Sequence, residues 1–379
     1  MSEDIMNKCY LCGRELKDTN ISDEHIILNA IGGRLHSKKL ICKDCNSKMG
    51  NKADSKLAED LSFFTDMLEI SRSRKSEHNQ IMTDSEGHEI IVKKAGKSLT
   101  LRKPYKEVYN EGSNTIVNIA ARNIVEVESF VSSLVKDGVI TQEQGNEIIK
   151  KSEVKEYKSP LHKSMCISKE AFPSIVKSAV NFYVEKTNDI DTVKHLIPVI
   201  KGEEDTKGFI FLYVLKELPF PYNEKEAVHM IHIEGSKETG LLYALMEYYS
   251  IYTYVVVLND KYEGDNINMT YAFDAVSSQE IRREFSLPLT MSNLVDFKSM
   301  PHEQYCSDYL PCIEQRADNV MKIWDAKQNK EELQSVIEKA FGKFPEGCKL
   351  DEAMIKSIEN DIVEFFIRKL DDSNILQTE

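Results

Sequence analysis

No run of about eighteen apolar residues occurs in the 379-residue chain, so no segment qualifies as a membrane-spanning helix. The opening residues, MSEDIMNK, lack the basic-then-apolar order of a secretion signal. A cytoplasmic protein is expected, with no membrane partner and with its thiols kept reduced. A positive balance is also missing. The net charge is −13 and the isoelectric point about 5.3, which excludes broad, passive coating of nucleic acid and leaves room only for a local basic cleft. There is no internal repeat and no low-complexity tract. Gly32-Gly33 is not followed by the Gly-Lys of a phosphate loop.

Hydrophobic residues make up 41% and charged residues 29%, the balance of an ordinary globular chain long enough for two or three domains. Of its eight cysteines, Cys9 and Cys12 form one C-x-x-C knuckle and Cys42 and Cys45 a second. Cys166, Cys306, Cys312 and Cys348 have no ligand spacing and read as small buried side chains. Four thiolates in two knuckles make a closed tetrahedral set that zinc favours, with no open position for chemistry; the ion is therefore structural. A module of this size buries little core by itself, and such a staple offsets that deficit.

In chain order, Ser22 to Leu28 and Lys38 to Ile41 read as short strands around the Gly32-Gly33 turn. Cys45 to about Leu68 reads as one helix, with Lys48, Lys52 and Lys56 on one face and Leu57, Leu61 and Phe64 on the other. Alternation between Ile81 and Leu101 predicts a β-meander, and residues 114–121 one more strand. Helices follow at 122–136 and 141–151. The run Lys93, Lys94, Lys97, Arg102, Lys103, Lys106 contains no acid and reads either as a solvated hairpin or as a phosphate-contacting arm; Lys48 and Lys52 on the helix are expected nucleic-acid contacts as well. The polar stretch 152–163 suggests a boundary. Expected domains are 1–68, a zinc-stapled module; 69–155, the meander and helices; and 156–379. The last opens with a helix over 169–186, in which Ile175, Ala179, Phe182 and Tyr183 share a stripe, and a short helix over 191–201. Strand-like blocks follow at 209–215, 228–235, 241–249, 251–260 and 268–276. That pattern predicts an α+β fold with a mostly antiparallel sheet. The tail is helical; Ile355, Ile358, Ile362, Phe365 and Phe366 form a stripe that must dock on its own domain or on a second subunit.

The long insert between Cys12 and Cys42 needs a reason. It carries Asp23, Glu24 and His25 together, and Asn46 follows Cys45 directly. A hydrolytic divalent ion takes hard oxygen ligands, which Glu24 and Asn46 offer. Water attack on a phosphodiester needs a base that titrates near neutrality, which His25 offers.

At these residues the chain resembles the HNH endonucleases, the ββα-metal nucleases, in their zinc-bearing branch. The resemblance rests on Glu24-His25-Ile26-Ile27-Leu28, on Gly32-Gly33, and on Cys42 through Asn46. It implies His25 as general base, Glu24 and Asn46 as ligands of one catalytic Mg2+ or Mn2+, and the four cysteines on structural Zn2+. The family often has an Asn before the third cysteine that orients the base; Ser37 stands there, so Ser37 or His36 takes that role or it is absent. Leu28 replaces a Pro. Three readings of Asp54 stay open: an acid behind the ligands, a ligand itself, or a solvated helix residue. Asp23 is a fallback ligand.

Other candidates are weaker. His229 and His232 fall on opposite faces of a strand and do not share a metal. The aromatics at 248–254 read as core, and Asp274 offers little. The expected activity is cleavage of DNA, with RNA left open, and phage defence is a setting by analogy. Because an acidic chain carries the module, a homodimer through the C-terminal domain, or an activating ligand or protein partner, is expected to restrict it. The alternative is a zinc-stabilised nucleic-acid-binding or regulatory protein with a degenerate, non-catalytic module.

Overall fold

A computed structural model describes residues 8–73, 78–112, 114–153, 157, 159–216, 223–284 and 286–374. The expected boundary at 155/156 lies outside the described residues. The N-terminal part comprises β1 (Glu24–His25), β2 (His36–Ser37), α1 (Lys43–Gly50), α2 (Ala53–Asp60) and α3 (Ser62–Met67). The strands are shorter than expected: β1 pairs with β2 antiparallel over two residue pairs only, Glu24 with Ser37 and His25 with His36. The second strand precedes residues 38–41 rather than occupying them. The turn between the strands requires its glycines. A Cβ at Gly33 would lie 1.8 Å from the Ile27 carbonyl oxygen, and Gly32 has φ +99°.

The expected single helix from Cys45 to Leu68 is three helices. Gly50-Asn51, both poor helix formers, ends the first, and Lys52 sits at the break with φ −130° and ψ −104°. Lys48, Lys52 and Lys56 therefore do not form one helical stripe. Lys48 and Lys52 are exposed, while Lys56 pairs with Glu59 and Asp60.

The meander is β3 (Gln80–Asp84), β4 (Glu89–Lys93) and β5 (Ser98–Leu101). The strand expected at 114–121 is β7 (Asn114–Ala120), paired as a separate ribbon with β6 (Tyr105–Glu111), which the alternation had not suggested. After α4 (Ile124–Lys136) and α5 (Gln142–Lys151), β8 (Leu161–His162) returns to the meander, giving the order β5-β4-β3-β8.

Next come α6 (Phe172–Thr187), α7 (Ile197–Lys201) and strands β9 (Ile210–Leu212), β10 (Val228–Ser236), β11 (Leu241–Tyr248), β12 (Tyr252–Asn259), β13 (Ile267–Asp274) and β14 (Glu280–Ile281). They form a six-stranded sheet in the order β14-β13-β10-β11-β12-β9, antiparallel throughout. The mixed helices and antiparallel sheets make the fold α+β, as expected. Helices α8 (Met291–Lys298), α9 (His302–Asp308), α10 (Leu310–Phe341) and α11 (Glu352–Asn374) are the last elements among the described residues.

The large sheet is covered on both faces, which explains its nearly unbroken apolar strands. On one face Met230, Tyr243, Leu245 and Val255 pack with Leu294 of α8. On the other, Ile231, Ala244 and Val256 share a continuous core with α6 and with Ile26, Ile31 and Phe64 of the N-terminal part. Helix α6 thus lies between the sheet and that part, and its residues from Ser174 to Val184 are all buried. The aromatics at 248–254 are core: Tyr249 is fully buried and its hydroxyl meets Thr65 Oγ1 at 2.7 Å. The docking stripe of α11 is only partly used. Ile358 and Phe365 are buried, and Lys343–Asp361 and Lys369–Glu332 pair α11 with the α10 end, while Ile355 and Phe366 remain exposed. No helix among the described residues is long and apolar enough to cross a membrane.

Candidate active site

The two knuckles converge. The Sγ atoms of Cys9, Cys12, Cys42 and Cys45 all lie within 4.8 Å of one another, and Cys12 and Cys42 are 3.8 Å apart. Tetrahedral zinc with bonds of about 2.3 Å separates its sulfurs by about 3.8 Å, so the cluster fits that ion. Cys42 immediately precedes α1, Gly13 turns the first knuckle with φ +70°, and Arg14 pairs with Asp44 across the two. Burial pushes the Cys9 and Cys45 thiols up, a penalty that a coordinated cation reverses.

The alternation of β1 sends Glu24 inward and leaves His25 half-buried. A cleft of about 240 Å³ is lined by Glu24, His25, Asn29, Asn46, Asp54 and their neighbours. Asn46 lies in the first turn of α1, where its backbone N–H bonds the Cys42 carbonyl. Its Nδ2 donates to Ser22 Oγ at 2.6 Å, which commits the nitrogen and leaves the amide oxygen Oδ1 as the acceptor. Burial, then the neighbouring His36, lowers the pKa of His25, favouring the neutral ring.

Glu24 is 2% exposed and is held from outside its own module. Lys177 Nζ, fully buried on α6, lies 2.7 Å from Glu24 Oε1 and 2.7 Å from Asp54 Oδ2. Ser174 Oγ donates to Asp54 Oδ1 at 2.6 Å. Asn181 Nδ2 donates to Glu24 Oε1 at 3.3 Å, and Tyr10 Oη donates to Asn181 Oδ1 at 2.6 Å. Burial lifts the Glu24 carboxyl above its usual range, opposed by the Lys177 charge. Burial likewise opposes charge on Lys177, but attraction to Asp54 and Glu24 outweighs it and raises the ammonium's pKa.

The cleft therefore brings together Glu24, His25, Asn46 and Asp54. It does not include Ser37, which is buried opposite Glu24, not His25, and donates to Glu185 Oε2 at 2.5 Å. The expected orienting contact from Ser37 to the His25 ring is thus not made. His36 is the neighbour instead, with ring centroids 5.6 Å apart, and its Nδ1 meets Asp23 Oδ1 at 2.6 Å. Asp54 is buried with both oxygens engaged, so it is not a solvated helix residue.

The basic run is partly neutralised within the chain. Lys97 pairs with Glu331, Arg102 with Glu89, and Lys106 donates to Ser133. Lys93, Lys94 and Lys103 are exposed. His229 and His232 lie on opposite faces of β10, the first among Tyr249 and Phe273, the second beside Glu234. Asp274 caps a turn through the Val276 and Ser277 N–H groups.

Ser22, Ser174, Lys177 and Asn181 were not anticipated. A signal existed for the last three: they are spaced three and four apart in FPSIVKSAVNFYV, a polar stripe through an otherwise apolar helix.

An acid–histidine strand, a glycine turn, a second strand and a helix beginning at a cysteine knuckle follow one another in a strand–strand–helix order. Residues 9–62 match a protein-family model described as HNH endonuclease. No curated protein and no solved structure matches the chain.

Proposed function

We propose that this chain is a metal-dependent endonuclease that hydrolyses phosphodiester bonds in DNA, with His25 as general base and Glu24 and Asn46 as ligands of one divalent ion, Mg2+ or Mn2+. The observation that carries this reading is the cleft in which a half-buried histidine, an inward carboxylate and an oriented amide oxygen meet. His25 removes a proton from water, the water oxygen attacks phosphorus, and the bond from phosphorus to the 3′-oxygen breaks. The divalent ion, when bound, polarises the phosphate and stabilises the departing oxygen. Lys48, Lys52, Lys93, Lys94 and Lys103 are exposed and suit phosphate contacts; Lys97 and Arg102 would have to exchange Glu331 and Glu89 for them. A three-part division near 68 and 155, a cytoplasmic setting and a role in phage defence belong to the same proposal.

A second reading, a zinc-stapled binding protein with an inactive module, draws on one observation: Glu24 already has a cation, Lys177. Metal dependence separates the two. Supercoiled plasmid incubated with the zinc-loaded protein is relaxed or linearised on adding Mg2+ or Mn2+ if the first reading holds. Binding to the plasmid without cutting, in either metal, favours the second.

A further inference from the structure

The residues that hold Glu24 and Asp54 lie outside the stretch matched by the HNH model and belong to α6. Ser174 and Lys177 occupy both oxygens of Asp54, and Lys177 and Asn181 occupy one oxygen of Glu24. Among the described residues no hydrogen bond falls on Glu24 Oε2, the oxygen left for an ion. The charges that meet here are two carboxylates and one ammonium, a sum of −1. Ser22, Asn46, Ser174 and Asn181 add none, and Asp23 and His36 pair with each other in exposed positions.

Resting on the nuclease reading above, we propose that Lys177 is a positioning residue that keeps the divalent-ion affinity of the cleft low until a nucleic-acid phosphate arrives, so that ion and substrate bind cooperatively. A 2+ ion entering a cleft of charge −1 leaves one positive charge unbalanced at short range, where the interior dielectric screens it poorly. A phosphodiester brings the missing negative charge. Linkage then requires that substrate tighten the ion by the factor by which the ion tightens substrate. Lys177 meanwhile spares two buried carboxylates from facing each other without a counter-charge. A helix outside the matched stretch thereby sets when the N-terminal module is loaded.

The test measures Mn2+ binding to the full-length, zinc-loaded protein by paramagnetic resonance, in a His25→Ala background that does not cut, with and without a short DNA duplex. The duplex is expected to tighten Mn2+ by about tenfold or more. Adding Lys177→Met is expected to tighten Mn2+ by a similar factor without DNA and to remove most of the DNA effect. Equal or weaker Mn2+ binding in that variant overturns the proposal. If Lys177→Met fails to retain zinc, Asp54→Asn decides. It keeps the shape and brings the cleft to zero charge, so Mn2+ should bind about tenfold more weakly although Ser174 and Lys177 already hold both Asp54 oxygens, and unchanged binding overturns the proposal. Glu24→Gln and Asn46→Ala distinguish the underlying reading. If neither alters Mn2+ binding, the assigned ion site itself is wrong, whereas a loss in both with no effect at Lys177 refutes only the coupling.

Discussion

The Lys177 ammonium and the Glu24 carboxylate meet at 2.7 Å across 153 positions of sequence, with both side chains out of solvent. Removing one partner of a buried pair strands the other charge, at a cost of about 3–5 kcal/mol. Lys177→Ala is therefore expected to lower the urea midpoint sharply, because two carboxylates lose their counter-ion together. Lys177→Met combined with Asp54→Asn removes one charge of each sign and should recover a good part of the loss. An unchanged midpoint in Lys177→Ala would mean that the contact is solvated.

The cysteine cluster makes a separate prediction. Cys42 is fully buried and leads directly into the helix that carries Asn46. Cys42→Ser should release the zinc and destabilise the N-terminal part by at least about 3 kcal/mol, since metal-binding energy in such modules is folding energy. Zinc content and thermal melting of the full chain check this. Retention of one zinc per chain with an unchanged melting temperature would remove Cys42 from the ligand set.

Acid should weaken the central sheet through His229. This ring is fully buried on β10, and burial lowers its pKa from 6.5 to about 3. The folded state resists the proton that the unfolded chain accepts. The contribution of His229 is therefore fully present above pH 6.5 and is lost as pH falls from there toward 3. His229→Phe, which cannot protonate, should flatten the fall in unfolding free energy over that window. Parallel curves for the two proteins would contradict the assignment.

The parts of this molecule that follow local rules were readable from the chain. Knuckle spacing brought the cysteines together, the acid–histidine pair and Asn46 fell into one cleft, and apolar blocks bounded by turn residues marked every long strand of the central sheet. The misreadings have physical causes. Strands β1 and β2 are too short for alternation to set their ends, so the second was expected at 38–41 instead of 36–37. The weak helix formers at Gly50-Asn51 break what the charge spacing suggested was one helix. Ser37 stood at the right sequence position to orient His25, but the two-residue ladder places it across from Glu24 and within reach of Glu185. The Lys177 seat was hidden for another reason. Its partners lie in a distant segment, and nothing in a single helix says which surface its polar stripe will meet; the stripe itself was nonetheless present in the sequence.

Cleavage of supercoiled plasmid by zinc-loaded wild type and His25→Ala, each with Mg2+, Mn2+ or EDTA, bears most directly on the central claim. His25 is half-buried at the cleft wall and, among the described residues, its side chain makes no hydrogen bond. The variant should therefore keep its zinc and its melting temperature while cutting falls by at least about a hundredfold, the usual contribution of a general base. Metal-dependent cutting by wild type that disappears in a folded His25→Ala protein is the predicted result. Equal cutting by the two proteins would contradict it.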